Sequence, residues 1–419
     1  MSKLGDRIFQ KVLRTFSPIL PWREPEILKA YDELVDVLIK QNKSRIFIVM
    51  DEGLVQLKLH QPLLDALKNK QLNYRVFSDI TANPTTAQVE EGLLAYIIYG
   101  GDAIIGFGGG SPMDVAKAIA ARVARPRKNL KQLGGLLKVR KKTPLLIAVP
   151  TTSGTGSEAT VASIVVDERT KHKYAINDPV LIPSYALLVP TLTFKLPKFV
   201  TATTGMDALT HAIEAYTNKG GRKFPNEKAI NATRLVFENL KVAYDNPSDL
   251  EARKNMQLAA YDAGVAFTRN YVGYVHALSH PLSAYYGLAH GYVNALILPF
   301  MLEKYGRRIY RKLARLARLS GVVEEGLSNG ETAKLFIAKI RALNTYFEIP
   351  TTIPEIKEED IPQLAVYANK EARPLYPTPR IYKTSELEEF YRELKGEIFN
   401  VETNKNAKRS NEKNLSLKL

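Results

Sequence analysis

The side chains with most chemistry to offer are histidines. The chain has six, His60, His172, His211, His276, His280 and His290, and four lie in its second half among apolar or small neighbours. Asp207 and His211, in GMDALTHAIEAY, stand four positions apart, so both project from one face of a helix. His276 and His280, in VHALSHPLSAYYG, repeat the spacing, and His290 follows in GLAHGYVNALILP. One histidine in such a setting is ordinarily a satisfied core residue. Several of them with an acid, on two apolar helices, predict a metal site, because helical residues four apart can share one ion. Imidazole with carboxylate suits iron(II), zinc, manganese or nickel alike. The spacing leaves open whether His276 or His280 is the ligand.

Two loops of small residues carry a second chemistry. The apolar run Ala103–Phe107 leads into Gly108, Gly109, Gly110, Ser111, Pro112, Met113 and Asp114, and Val115 to Ala121 reads as a helix. A strand, a glycine turn and a helix N-terminus present backbone N–H groups to a phosphate. Three adjacent glycines are neither the G-x-G-x-x-G spacing nor a Walker loop. The second loop, Pro150, Thr151, Thr152, Ser153, Gly154, Thr155, Gly156, Ser157 and Glu158, follows the strand Leu145–Val149. It sets hydroxyls at a strand's C-terminal end, where open α/β sheets bind ligands. Together the loops predict a nucleotide. Asp51 closes the strand RIFIVMD, where an acid accepts hydrogen bonds from a ribose hydroxyl and repels a 2′-phosphate, which favours NAD over NADP. The plainer role for the same residue is a helix N-cap.

Such loops require a sheet to hold them. Up to about Pro197, short apolar runs alternate with helical patterns: Arg45–Met50, Tyr74–Phe77, Ala103–Phe107, Leu145–Val149, Val161–Val166 and Leu187–Val189. That alternation predicts a parallel α/β sheet. Beyond Thr201 long helical periods take over, as in Met206–Tyr216, Pro225–Tyr244, Leu250–Phe267 and Tyr305–Leu319. The expected organisation is an α/β dinucleotide-binding domain over 1–197, an all-helical metal-binding domain over 198–399, and a basic tail over 400–419 read as disordered. There is no internal repeat.

Composition narrows the class. The 419 residues, 45% hydrophobic and 24% charged, are those of a globular protein of two or three domains. No apolar run reaches the ~18–20 residues of a membrane span. The absence of cysteine excludes disulfides, thiolate-bound zinc and a cysteine nucleophile. The N-terminus, MSKLGDRIFQKVLRTF, is basic throughout and reads as an amphipathic helix of a cytoplasmic protein, not a secretory signal. Lys and Arg number 59 against 43 Asp and Glu, a balance of +16. The excess collects between Arg122 and Lys142, along Lys304–Arg318, and in the tail. Neither internal cluster interleaves aromatics as a base-stacking surface does, so both read as solvated faces, with docking of an anionic cofactor or nucleic acid as the alternative.

Over roughly residues 20–395 the chain resembles the iron-containing alcohol dehydrogenase family, of the dehydroquinate synthase-like superfamily. The resemblance rests on GGGSPMDVAK, PTTSGTGSEAT, TATTGMDALTHAIEAY, VHALSHPLSAYYGLAHGYVNALILP and EARPLYPTPRIYKTSELEEFY. It implies an N-terminal Rossmann-like domain, an all-α C-terminal domain, an active site in the cleft between them, and a homodimer. By position, the family's metal ligands fall on Asp207, His211, His276 and His290, and its non-ligand active-site histidine on His280. The cofactor contacts fall on Asp51, Gly108, Gly109, Gly110, Ser111 and Asp114, and on Thr151, Thr152, Gly154 and Thr155. Asn83 in ITANPT falls on a further cofactor-side position, Lys173 in KHKYAIND on a catalytic one, and Phe267 on the substrate pocket. The implied reaction passes a hydride between a small primary alcohol or diol, or its aldehyde or ketone, and NAD. Fe²⁺, or Zn²⁺ or another divalent ion, activates the substrate oxygen, and His280 passes the proton. The implied partners are the small substrate and a second copy, with no membrane and no nucleic acid.

The chain departs from the family pattern twice. Leu188–Val189–Pro190 stands where Leu-Asp-Pro is usual, which predicts a looser contact there. Ala289–His290–Gly291 replaces Pro-His-Gly, which predicts a less rigid loop. The nearest rivals are glycerol dehydrogenase-like and dehydroquinate synthase-like enzymes. A basic nucleic-acid-binding protein with a degenerate core is disfavoured by the intact ligand set, and a metal-dependent hydrolase or lyase would leave the nucleotide loops without purpose.

Overall fold

Parallel strands position the glycine loops. The computed structural model describes residues 3–16, 19–169 and 172–396, so the tail from 400 lies outside the described residues. The main sheet consists of β1 (Glu26–Leu28), β2 (Arg45–Val49), β3 (Asn73–Phe77), β4 (Ala103–Gly108), β6 (Leu145–Pro150) and β9 (Tyr185–Leu187), in spatial order β1-β9-β6-β4-β2-β3. Every neighbouring pair is parallel. A parallel strand covered on both faces reads as an unbroken apolar run, and β4 is buried along its whole length.

Side chains alternate across the sheet and find a separate core on each face. Ile46 and Ile48 of β2 pack with α2 (Tyr31–Lys40), α3 (Glu52–Gln56) and α4 (Gln61–Asn69). Phe47 and Val49 pack with α5 (Thr86–Tyr99) and α6 (Gly110–Ala124), and α7 (Leu130–Leu133) extends that layer. The first helix, α1 (Lys3–Phe16), stands outside both cores. From β2 the chain passes to β3 on one side and then to β4 on the other. The strand order therefore reverses between β2 and β4, and the crevice beyond their C-terminal ends is where such sheets bind ligands.

The expectation for Val161–Val166 needs correcting. Instead of joining the main sheet, β7 (Ala162–Asp167) pairs antiparallel with β8 (His172–Asn177), and β5 (Gly135–Leu136) completes a small sheet of order β5-β8-β7. Burial in β7 alternates residue by residue, the pattern of a strand covered on one face only. The sixth place in the main sheet goes to β1, three residues too short to register as a run.

The second region is helical: α8 (Lys198–Thr217), α9 (Lys223–Asp245), α10 (Leu250–Asn270), α11 (Tyr274–Tyr286), α12 (His290–Tyr305), α13 (Arg307–Leu319), α14 (Asn329–Tyr346), α15 (Ile361–Ala372) and α16 (Thr384–Lys395). α8 is buried on every side from Thr201 onward, its Asp207, His211 and Glu214 included. The basic stretch Lys304–Arg318 is not one helix. Gly306, at φ +54°, breaks it between α12 and α13. Nor is the Arg122–Lys142 cluster wholly solvated, since mostly buried Arg122 pairs with Glu90 at 2.8 Å.

The nucleotide-side loop meets the helical region backbone to backbone. Gly156 adopts φ +62°, and a Cβ on Gly264 of α10 would lie 2.5 Å from the Gly156 carbonyl oxygen. Gly264→Ala should therefore destabilise the fold by about 1–3 kcal/mol, the range for overpacking a filled contact. Urea unfolding reads this directly, and an unchanged midpoint would mean that the loop yields freely.

Candidate metal centre and nucleotide cleft

Three helices bring the acid and the histidines together. Asp207 and His211 project from one face of α8, His276 enters from the first turn of α11, and His290 opens α12. One ligand atom from each lies within 4.8 Å of all the others. Asp207 Oδ1 is 3.9 Å from His276 Nε2 and 3.8 Å from His290 Nε2, and Asp207 Oδ2 is 3.9 Å from His211 Nδ1. Tetrahedral donors about 2.1 Å from a shared ion sit ~3.4 Å apart, so each imidazole stands within a few tenths of an ångström of that distance from the carboxylate. His211 Nδ1 is buried without a hydrogen-bond partner. Burial lowers the pKa of His211, although Asp207 opposes it. Burial, reinforced by the neighbouring imidazoles, holds His276 and His290 well below the usual histidine value. Neutral imidazoles beside a carboxylate are a donor set that suits a divalent cation.

Glycine permits the approach. A Cβ on Gly291 would lie 2.4 Å from the Thr203 carbonyl oxygen, so only glycine lets the start of α12 settle on α8. Ala289 holds φ −60°, the angle a proline would impose, so the substitution leaves the loop backbone in place.

Several residues that sequence reasoning missed surround the four. Glu214, one turn beyond His211, accepts from Gly273 N and Val275 N at 2.8 Å each and meets His276 Nδ1 at 2.6 Å. Burial pushes its carboxyl up to about 8, against the pull of those hydrogen bonds. With Nδ1–H donating to Glu214, His276 turns its Nε2 lone pair toward Asp207. The Asn294 amide donates to Asp207 Oδ1 at 2.7 Å and lies 3.1 and 3.0 Å from Nε2 of His276 and His290. Its signal in the sequence was a lone polar residue, four beyond His290, in an apolar run.

His280 stands apart from the four. Its ring stacks on His290 with centroids 4.9 Å apart, and its Nδ1 meets Glu371 Oε1 of α15 at 2.6 Å. Tyr376 donates to the same oxygen at 3.0 Å. Of the two residues that spacing left open, His276 lies in the cluster and His280 beside it. Phe267 of α10 stacks on His211 at 4.3 Å.

The nucleotide loops face each other across the C-terminal ends of the strands. Gly108, at φ +148°, leads into Gly109, the N-cap of α6. A Cβ on Gly109 would touch Thr152, and one on Gly110 would press on Thr155 at 3.1 Å. Ser111 is the next residue of that helix turn, and Thr151 N is tied to the Gly108 carbonyl at 3.0 Å. Gly154 abuts Thr204 of α8, where a Cβ would lie 2.6 Å from the threonine side chain. Asp51 caps α3 through Oδ1, which accepts from Leu54 N at 3.0 Å. The plainer role is therefore real, and among the described residues Oδ2 accepts no hydrogen bond.

Behind the loops lies a buried charged group absent from the sequence reading. Lys117 Nζ donates to the carbonyls of Ser157, Thr160 and Ala162 and to both hydroxyls of Ser157 and Thr160, at 2.6–3.1 Å. Asp114 accepts from Ser157 Oγ at 3.2 Å. Burial pushes Asp114 up to about 6 and Glu158 up to about 7, and lowers Lys117 to about 8. Asp114 is half-buried and holds the hydroxyl loop through Ser157. Lys173 Nζ donates to Asn83 Oδ1 at 3.0 Å, and burial lowers its pKa against the pull of Asp114 and Glu371. At the Leu188–Val189–Pro190 departure the contact is not loose. Gln257 of α10 donates to the carbonyls of Val189 and Pro150 at 3.3 and 3.2 Å.

Residues 28–190 match the family model for iron-containing alcohol dehydrogenase, and residues 201–394 match that for the C-terminal part of the Fe-containing alcohol dehydrogenase family. Lactaldehyde reductase from Escherichia coli (strain K12) is 32% identical over 339 residues, 80% of this chain and 88% of that protein. NAD-dependent methanol dehydrogenase from Bacillus methanolicus is 35% identical over 324 residues, 77% of this chain and 85% of its own length. A solved structure of 1,3-propanediol oxidoreductase superposes with a TM-score of 0.85 at 30% identity, covering 90% of this chain and 99% of that one.

The Glu214 contact generates a test. Glu214→Gln removes the carboxyl acceptor that orients His276 and should weaken divalent-metal affinity about ten- to a hundredfold. Metal retained after dialysis against graded chelator measures this. Retention equal to the unaltered protein would show that His276 needs no such support.

Proposed function

The chain belongs to the iron-containing alcohol dehydrogenase family, and we propose that Asp207, His211, His276 and His290 hold its metal while the loops at 108–111 and 151–155 hold NAD. The enzyme is a metal-dependent, NAD-linked oxidoreductase of small alcohols and diols and the corresponding aldehydes. A metal held there would supply the acidity that the substrate hydroxyl needs, and NAD held by the loops would supply a hydride acceptor. The observation that carries the assignment is the four-donor cluster on α8, α11 and α12, beside the helix turn against which Gly154 packs.

The remaining roles belong to the chain's own side chains. Glu371 holds the His280 ring through Nδ1 and leaves Nε2 available, which supports His280 as the group that takes the hydroxyl proton. Its side chain is 20% exposed, which gives that proton a way out to solvent. Phe267, stacked on His211, forms an apolar wall that keeps water from the reacting carbon. Gly108 to Ser111 and the N-terminus of α6 cradle the phosphates, Thr151, Thr152 and Thr155 offer hydroxyls from the opposite side, and Asp51 Oδ2 meets the ribose. Lys173, held by Asn83, brings a cation to the cofactor side. Asp114 acts from behind by tethering Ser157.

The reading assigns cofactor binding to 1–197 and metal binding to 198–399. It also includes a homodimer, supported by Leu94, Ile97 and Ile98, which lie exposed on one face of α5. It places the enzyme in the cytoplasm, whose NAD pool the reaction draws on.

The test is NADH absorbance from Fe²⁺-reconstituted protein with a panel of short alcohols and aldehydes. Metal-dependent turnover with NAD is expected. A preference for NADP would overturn the role given to Asp51, and silence from folded, metal-loaded protein would overturn the reading as a whole. His280→Ala should keep its metal while turnover falls about 10²- to 10⁴-fold, whereas His276→Ala should lose the metal. Metal analysis of both variants decides the ligand set, which is wrong if His280→Ala empties the site.

A further inference from the structure

Helix α1 is built inside out. At 3.6 residues per turn, Asp6 and Gln10 lie on the side opposite Leu4, Ile8 and Val12. The side that faces the protein carries Asp6 and Gln10, with Phe9 and Leu13 half-buried beside them. Asp6 pairs with Arg373, and the Gln10 amide donates to the carbonyls of Pro374 and Tyr376 at 2.9 and 2.8 Å. The apolar side faces out: Leu4, Ile8, Val12 and Phe16 are 71%, 57%, 48% and 60% exposed, and Ile19 beyond them 77%. A surface helix normally turns this stripe into the core. Here buried polar contacts hold the helix and leave a continuous apolar ridge in water, which marks a docking surface.

The charge beside the ridge says what docks. Arg7, Lys11 and Arg14 run along one flank of α1, and with Lys219, Arg222 and Arg269 they line a cleft of about 200 Å³. Arg308 and Lys312 of α13 add to the same field, with the Lys312 ammonium donating to the carbonyls of Tyr216, Thr217 and Asn218 at the end of α8. Among the described residues none of Arg7, Lys11, Arg14, Lys219, Arg308 and Lys312 has an acid within ion-pair distance. Their mutual field is visible in two lysines. Burial lowers Lys219, helped by Arg7 and Arg308, and burial with Arg14 and Lys219 brings Lys312 down to about 8.

We propose that α1 is an interfacial helix that seats the enzyme on an anionic phospholipid bilayer. The ridge enters the boundary between headgroups and acyl chains, and the flanking cations meet lipid phosphates. A second copy as occupant would press the same cations together on a chain of net charge +16. A nucleic acid would neutralise the cations and leave the ridge in water. No helix among the described residues is long and apolar enough to cross a membrane. The sequence expectation of no membrane partner rested on the want of a span, which peripheral seating does not need.

The test is co-sedimentation of the full chain with vesicles of phosphatidylcholine alone, or with about a third phosphatidylglycerol. Binding is expected only to the anionic vesicles and should disappear in about 0.5 M salt. I8E/V12E on the ridge and K11E/R14E on the flank should each weaken it about tenfold or more, while melting temperature and alcohol dehydrogenase turnover stay unchanged. Equal binding to neutral vesicles, or no binding to anionic ones, overturns the proposal. So does undiminished binding by both folded variants. A halved mass in sedimentation for I8E/V12E would assign the ridge to a second copy and overturn it as well.

Discussion

Asp207 is buried to 2% exposure in the middle of the helical region, and among the described residues its carboxylate has one N–H donor, the Asn294 amide at 2.7 Å. An acid so placed is tolerable only where charge and hydrogen bonding compensate it. The surroundings can be derived from that demand. Three imidazoles crowd against the carboxylate, yet their own burial keeps them uncharged, so they supply lone pairs and no positive charge. Such a donor set is balanced by a cation held between its members. Helix packing follows from the same demand: α12 approaches α8 through Gly291 until nothing larger than hydrogen fits beneath it.

The nucleotide side is bound to this centre by backbone contact. Gly154 sits on Thr204 and Gly156 on Gly264, so the loop that carries Thr151 to Thr155 has no freedom relative to α8 and α10 without separating packed backbone. On its other side the loop is tied to α6 through Lys117, whose ammonium is fully surrounded by oxygens of residues 157–162. Every oxygen that Lys117 meets there is a carbonyl or a hydroxyl, so hydrogen bonds hold the junction. The glycine cradle at the start of α6, the hydroxyl loop and the metal helices are thereby one mechanical unit.

How much of this could be read in advance depends on the range of the forces involved. β4 was legible because burial on both faces leaves an unbroken apolar run, and Asp207 with His211 because a helix period places them together. β1 was not, being three residues held by pairing with β9. Glu214 looks like any acid on a helix, and its meaning comes from His276, 62 positions away. Glu371 is read the same way only through His280, 91 positions away. Lys117, in DVAKAIAA, has the pattern of a solvent-facing lysine, and only the return of residues 157–162 over α6 makes it internal. The outward ridge of α1 also escaped, because a periodic stripe shows that a helix is amphipathic without showing which side faces the protein.

His276 and His280 show how one period can carry two chemistries. They stand one turn apart on α11, and each meets a glutamate oxygen through Nδ1 at 2.6 Å, which sets the same tautomer in both. What separates them is enclosure. The His276 side chain is 3% exposed and its Glu214 is fixed by two backbone N–H groups, so ring and acid are locked with Nε2 toward Asp207. The His280 side chain is 20% exposed, and its Glu371, 26% exposed, is steadied by a tyrosine hydroxyl. A locked, dry imidazole suits the holding of an ion. A partly solvated one suits the passage of a proton, so the crossing of α11 against α8 and α15, more than residue type, accounts for the two roles proposed for them.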